Sequence, residues 1–161
     1  MKTEHHNHAA KNHSHHYRKL LLMALLSFIA MYILMYAMAN TLKNVFLNIN
    51  QFYMAALMAS PMVIIELALM GSMYMNKRLN RLLIAISAVL LIIFYLLIRQ
   101  QIAVNDKQFL KSMIPHHAGA ILMCEQAGIK DPEIKKLCDQ IRSSQQAEIA
   151  LMKAKLKELK K

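Results

Sequence analysis

Hydrophobic residues are concentrated in three long runs within the first hundred residues of the chain. The first run covers residues 20–39 and contains no charge, the second covers residues 52–75, and the third covers residues 82–98. A helix needs roughly 20 apolar residues, and about 17 at the least, to cross the hydrocarbon core of a bilayer. The pattern therefore predicts an all-α protein with three transmembrane helices.

In residues 100–161 the apolar residues recur at steps of three and four, which is typical of amphipathic helices. No glycine or proline interrupts residues 79–114, so the third transmembrane helix is free to run on into this segment. Pro115 either disturbs that helix or begins a new one. Helix is expected up to Ala127, with Gly128 as its C-cap.

A second amphipathic helix is predicted from Pro132 to near Leu159, after an N-cap at Asp131. Its apolar positions recur at steps of three and four, yet Gln145 and Glu148 fall within them. In an antiparallel helical hairpin, facing positions have a nearly constant sum of residue numbers. Three pairs agree with one alignment to within a helical turn: Cys124 with Cys138, His117 with Glu148, and Met113 with Met152.

The polar residues on these facing stripes are candidate metal ligands. Thioether and imidazole groups suit Cu(I) and, by extension, Ag(I). Glu148 would bind the metal or orient a histidine. The candidates are Met113, His116, His117, Met123, Glu148 and Met152. The alternative is that the methionines fill the core and one histidine forms a buried pair with Glu148 or Gln145, with no metal.

Two motifs in this segment resemble a known family. Phe109-x-x-x-Met113-Ile114-Pro115-His116-His117-x-Gly119-Ala120-Ile121, followed by Gln145-x-x-Glu148-Ile149-x-x-Met152, is similar to the family catalogued as domain of unknown function 305. The resemblance covers about residues 105–156. It implies a ferritin-like helical fold, and some family members are extracytoplasmic copper- and silver-binding proteins in bacterial metal resistance. It also implies that the six candidate ligands are the positions of interest.

The two cysteines are expected to face each other near the closed end of the hairpin. Cys124 and Cys138 would form a disulfide in an oxidising compartment, a Cu(I)-thiolate pair if kept reduced, or two buried thiols that fill space.

A second candidate site lies in the membrane region. Met54, Met58, Met62, Glu66 and Met70 follow one another at steps of four. An ionisable residue inside a membrane is by default a functional candidate. Glu66 with Met62 and Met70 would form a thioether-lined path or holding site for Cu(I). Otherwise the stripe is a packing interface, with a neutral Glu66 hydrogen-bonded to a tyrosine, Tyr32 or Tyr36, or to a neighbouring chain.

The leader, residues 1–19, holds six of the eight histidines and few apolar residues. We expect it to be disordered, and either to buffer metal or to bind it incidentally. The pattern Ala37-Met38-Ala39 could be a signal-peptidase site, but the apolar run before it favours an uncleaved anchor.

Lysine and arginine flank the runs unequally. Several lie before the first run and between the second and third, and Lys43 alone lies between the first and second. This bias predicts a multi-pass membrane protein with a cytoplasmic N-terminus and an extracytoplasmic C-terminal segment. Together with the family resemblance, it implies the bacterial inner (plasma) membrane, with the C-terminal segment in the periplasm. The net charge of +11 is explained by lipid-facing flanks and a solvated helix face, so no nucleic acid is expected as a partner.

The sequence as a whole favours a membrane-anchored extracytoplasmic protein for copper or silver binding. Its rivals are a metal-free interaction protein and an accessory subunit of a metal transporter. No enzyme is expected, because no nucleophile-base set and no paired Glu-x-x-His motif is visible. A two-helix unit of about 60 residues is a marginal core, so we expect a second copy, a membrane partner protein or the bilayer to cover it.

Overall fold

The computed structural model describes the backbone of residues 3–159 and the side chains of residues 15–159. Within these residues the chain is all-α, with five α-helices, two short 3-10 turns and no strand. The helices are α1 (Thr3–Leu34), α2 (Ile49–Leu69), α3 (Lys77–Arg99), α4 (Asp106–Gln126) and α5 (Pro132–Glu158).

Three stretches of helix are long and apolar enough to cross a membrane: His15–Met38, Ile49–Leu69 and Lys77–Arg99. The second one ends earlier than the predicted run of residues 52–75. The chain from Met70 to Asn76 forms a turn instead. The ammonium group of Lys77, the first residue of α3, donates to the carbonyl of Gly71 in this turn at 3.2 Å. The Asn76 side chain then accepts from the Leu79 amide and caps α3.

Helix α1 begins at Thr3, which differs from the disorder expected for residues 1–19. No glycine or proline precedes the apolar run, so a helix that starts in that run can propagate backwards at little cost per residue. Met1, Lys2 and the side chains of the first fourteen residues, including His5, His6, His8 and His13, lie outside the described part of the chain.

The chain divides into two compact units. The first contains the chain up to Tyr32 together with Tyr53–Gln100. Its buried cluster consists of Leu20, Leu67 and Tyr74. Beside that cluster the Tyr17 hydroxyl donates to the Asn80 side-chain carbonyl at 2.6 Å.

The second unit contains Ile33–Phe52 and the chain from Gln101 onward. Its buried core comes from α4 and α5: Ile114, Ala118, Ile121, Ile149, Met152 and Leu156. Ala39 and Phe46 pack against this core. The α4–α5 pair is therefore covered by a segment of its own chain, which the sequence pattern did not reveal.

Helices α3 and α4 are separate, so the third apolar helix does not run on into the C-terminal segment, although no glycine or proline interrupts residues 79–114. The break is a turn in which Gln101 and Ala103 have positive φ values of 50° and 60°. Asn105 then starts α4, because its side chain accepts from the Gln108 amide at 3.0 Å. Side-chain capping of this kind satisfies a backbone donor that has no partner within the helix.

Candidate functional site

The first of the two motif helices, α4, passes through Pro115 without restarting there. Pro115 is buried in the interior of the helix. Proline has no amide hydrogen, so the carbonyl of Lys111, one turn earlier, loses its usual partner. The side-chain amide of Asn48 lies 3.5 Å from that carbonyl and also donates to the Phe46 carbonyl at 2.9 Å. The helix therefore stays continuous up to the two histidines that follow.

His117 is buried and has a partner at each ring nitrogen. Nδ1 lies 2.9 Å from the carbonyl oxygen of Met113, and Nε2 lies 2.7 Å from Oε2 of Glu148. A carbonyl can only accept, so Nδ1–H donates to Met113. That bond sets the orientation of the ring and leaves Nε2 directed across the interface at α5.

Glu148 receives a second hydrogen bond from its own helix. The Ser144 hydroxyl donates to Oε1 at 2.7 Å. This bond, followed by the one to His117, lowers the pKa of the Glu148 carboxyl below its ordinary value. Ser144 was not among the site residues predicted from the sequence, although its position four residues before Glu148 places both on one helix face.

The other four candidate ligands differ in burial, and only two of them lie in the core beside the His117–Glu148 pair. Met152 is buried in the core of the unit, and Met113 packs against the same core. His116 is exposed, with its ring centroid 6.2 Å from that of His117. Met123 is 60% exposed. Four of the six candidate ligands therefore meet at one interface, whereas His116 and Met123 face solvent.

The donor set at this interface can be compared with what a metal requires. No group of three or more His, Cys, Asp or Glu side chains suited to a metal occurs among the described residues. Metal bonds to imidazole and carboxylate are about 2.0–2.2 Å long, so a bridging ion needs the two atoms roughly 3 Å or more apart. His117 and Glu148 stand at 2.7 Å. The two atoms are therefore in direct hydrogen-bond contact, and an ion between them requires the 46% exposed Glu148 side chain to give up this contact.

The cysteines face each other, as the alignment of the hairpin predicts. Cys124 and Cys138 are free, half-buried thiols. Hydrogen bonding to Cys138, with burial as the next cause, raises the pKa of Cys124 to about 11. The disulfide and the thiolate pair for metal remain predictions.

The intramembrane candidate is located at a helix end. Glu66 is in the last turn of α2, three residues before Leu69, and accepts a hydrogen bond from the Tyr74 hydroxyl at 3.1 Å. Met62 is half-buried on the same helix, whereas Met70 lies outside it in the turn and is exposed. The stripe of methionines at steps of four therefore ends before Met70.

Comparison with known proteins places the chain in a family. A family model described as a domain of unknown function (DUF305) matches residues 54–156. The chain belongs to this family. The match begins in α2 and includes α3, so it extends well upstream of the segment that carries the motifs.

One relative covers nearly the whole chain. It is an uncharacterized protein of Acanthamoeba polyphaga mimivirus, 40% identical over 144 residues, which are 88% of this chain and 93% of that protein. No solved structure shows significant similarity to the chain. The relative is viral, and a bacterial inner membrane therefore stays a prediction.

Proposed function

We propose that this family member is a membrane-anchored metal-binding protein that holds Cu(I) or Ag(I) between α4 and α5. The observation that carries the proposal is the orientation of His117. Its Nδ1 is held by the Met113 carbonyl and its Nε2 is directed at Glu148. A ligating histidine in proteins usually donates its other ring N–H to a carbonyl or carboxylate in this way.

The preference for a soft ion is inferred from the two thioethers of the interface. Met113 and Met152 are on the same faces as His117 and Glu148, one helical turn away on each helix. Thioether ligands select Cu(I) over harder divalent ions, whereas a carboxylate alone does not discriminate. In this proposal His117 and the methionines bind the ion, and Glu148 binds it or holds the imidazole.

Membrane anchoring is supported by the three long apolar helices and by the packing of the second unit. A chain with three spans has its first loop and its C-terminal segment on the same side. The segment Ile33–Phe52 does pack with the C-terminal helices in one unit. The lysine and arginine bias favours the side opposite to the cytoplasm.

A metal-free role is the second candidate, and one observation favours it. Both ring nitrogens of His117 are already hydrogen-bonded, so the pair with Glu148 is satisfied without an ion. In that case the pair is a polar layer that aligns the two helices, and the unit serves to bind a partner protein.

Titration of the purified full-length chain with Cu(I) against a competing chelator separates the two functions. The six histidines between His5 and His16 are first replaced by asparagine, so that the leader contributes no binding. His117→Gln and Met152→Leu are compared with His116→Gln and Met123→Leu, which change the same residue types at exposed positions.

We expect His117→Gln and Met152→Leu each to weaken Cu(I) binding by about tenfold or more, as loss of a ligand or of its support does. His116→Gln and Met123→Leu should leave the affinity nearly unchanged. Equal losses of Cu(I) affinity in both pairs of variants, or no saturable binding by the parent chain, would contradict the metal proposal and favour the interaction protein.

A further inference from the structure

A cavity of about 310 Å³ opens in the second unit, away from the His117–Glu148 pair along α5. Three lysines and two apolar side chains line it: Lys43, Phe46, Lys153, Leu156 and Lys157. We call it the lysine pocket. Lys43 and Phe46 come from the segment before α2, and the other three come from the last turns of α5.

The three lysines of the pocket form no ion pair with any acid among the described residues. The ion pairs within the described part of the chain join His117 to Glu148, Arg142 to Asp139 and Lys155 to Glu158. None of these pairs involves a pocket lysine. The Lys153 ammonium donates instead to the neutral side chain of Asn44 at 2.6 Å.

Lys43 and Lys153 are also close enough for their charges to repel each other. Burial, and then the nearby charge of Lys43, lower the pKa of Lys153 below its ordinary value. An anion between the ammonium groups of Lys43 and Lys153 would offset this repulsion, because both groups attract the anion.

The rest of the lining is apolar. Leu156 is 3% exposed and belongs to the core of the unit, and Phe46 packs against that core. A purely inorganic anion makes no apolar contact with such a surface, whereas a molecule with both a charged group and hydrocarbon does. Lys43 is five residues beyond the first candidate span and six before the second, so the pocket is attached next to two membrane-crossing helices.

We propose that the lysine pocket binds a phosphate group carried on an anionic phospholipid. The three ammonium groups contact the phosphate, and Phe46 and Leu156 contact the glycerol and upper acyl carbons. Lipid would then help to hold the segment before α2 against α5. This role is independent of metal binding at His117.

The test measures lipid retention by the purified full-length chain, with native mass spectrometry from a neutral detergent. Dioleoylphosphatidylglycerol is the anionic probe, and dioleoylphosphatidylcholine is the uncharged control. The pocket variant carries Lys43→Gln, Lys153→Gln and Lys157→Gln. The matched control variant carries Lys130→Gln, Lys135→Gln and Lys136→Gln, three lysines at exposed positions outside the pocket.

We expect the pocket variant to lose affinity for phosphatidylglycerol by roughly tenfold or more, since each lysine near a lipid headgroup contributes measurably to binding. The control variant and a variant with arginine at the three pocket positions should retain it. Equal retention by the pocket variant, or an equal loss in the control variant, would overturn the proposal.

A second arm identifies the source of the phosphate. Inorganic phosphate at millimolar concentration should not displace phosphatidylglycerol from the parent chain, because it makes no contact with Phe46 or Leu156. If it displaces the lipid fully, and if its own binding depends on the same three lysines, lipid is overturned as the source and a soluble phosphate ester takes its place.

Discussion

His117 and Glu148 form the one contact on which the functional account depends at the scale of single residues. The sequence could predict this contact, because the two residues interrupt apolar stripes at positions that an antiparallel pair brings together. It could not predict which neighbours would share the hydrogen bonds. The Met113 carbonyl and the Ser144 hydroxyl are set by helix geometry around side chains whose rotamers only the packed structure defines.

The lowered pKa of Glu148 gives the pair a pH dependence of definite sign. A carboxyl whose folded pKa is depressed stabilises the fold above its ordinary pKa, near 4.5, and loses that contribution as the pH falls through the lower folded value. We therefore expect Glu148→Gln to lower the Tm at pH 7, and we expect this difference in Tm to shrink as the pH is lowered below 4.5 and the carboxyl becomes protonated. A difference in Tm that persists unchanged at the lower pH would show that the carboxylate charge contributes nothing.

The raised pKa of Cys124 predicts a slow thiol. With a pKa of about 11, the reactive thiolate is scarce at pH 8, and alkylation of Cys124 should speed up about tenfold per pH unit up to pH 10. Cys138→Ala removes the hydrogen bond that is the main cause, so it should speed alkylation at pH 8 by about tenfold or more. Peptide mass spectrometry after iodoacetamide measures both rates.

A disulfide between Cys124 and Cys138 would give a different result in the same alkylation experiment. If the two cysteines form a disulfide in the isolated protein, neither is alkylated until a reductant is added. Rapid alkylation of Cys124 without reductant at pH 8 would contradict the raised pKa and the disulfide together.

Helices and their ends differ in how far the sequence determines them. The apolar runs predict the ends of α2 and α3 to within six residues, and the Asp131-Pro132-Glu133 signal predicts the start of α5. The break between α3 and α4 was missed because it uses positive φ at Gln101 and Ala103 instead of glycine or proline. Asn105 followed by Asp106 was the available signal, since an Asn cap with an acid in the first turn marks a helix start.

Gly119 tests how closely the segment before α2 packs on α4. A Cβ added there would lie 3.5 Å from the carbonyl oxygen of Met38, which is ordinary van der Waals contact. Alanine favours helix over glycine by about 1 kcal/mol, so Gly119→Ala should raise the free energy of unfolding by up to that amount.

A larger side chain at the same position should have the opposite effect. Gly119→Leu would extend past the Cβ into the segment Ile33–Phe52 and push it from α4. Amide hydrogen exchange of residues 39–48 should be faster in Gly119→Leu and unchanged in Gly119→Ala. Slow exchange in both variants would mean that the segment does not pack on Gly119.

At the scale of the whole molecule, the sequence predicts three membrane-crossing helices and the structure adds a link between two distant parts of the chain. Ala39 and Phe46 pack against the core of the α4–α5 pair, which lies more than sixty residues later in the sequence. Contacts at this separation leave no local pattern, so the sequence alone could not indicate that the segment before α2 packs on the pair.

This packing predicts which parts of the chain share a side of the membrane. In a chain with Cys124 and Cys138 replaced by serine, single cysteines at Thr41 and Lys130 should react with an impermeant maleimide from the same side of a sealed vesicle. A single cysteine at Ser14 should react only from the other side. Labelling of the Thr41 and Lys130 positions from opposite faces would refute the three-span arrangement.

The proposed metal site can be tested most directly by X-ray absorption at the copper edge on the Cu(I)-loaded full-length chain without its leader histidines. Cys124 and Cys138 are replaced by serine in this protein, so that only thioethers supply sulfur. We expect a first coordination shell that contains sulfur together with nitrogen or oxygen. His117→Gln should remove the scattering of the imidazole ring and reduce the nitrogen or oxygen contribution, and Met152→Leu should reduce the sulfur contribution. A shell without sulfur, or one that His117→Gln leaves unchanged, would contradict a copper site between α4 and α5.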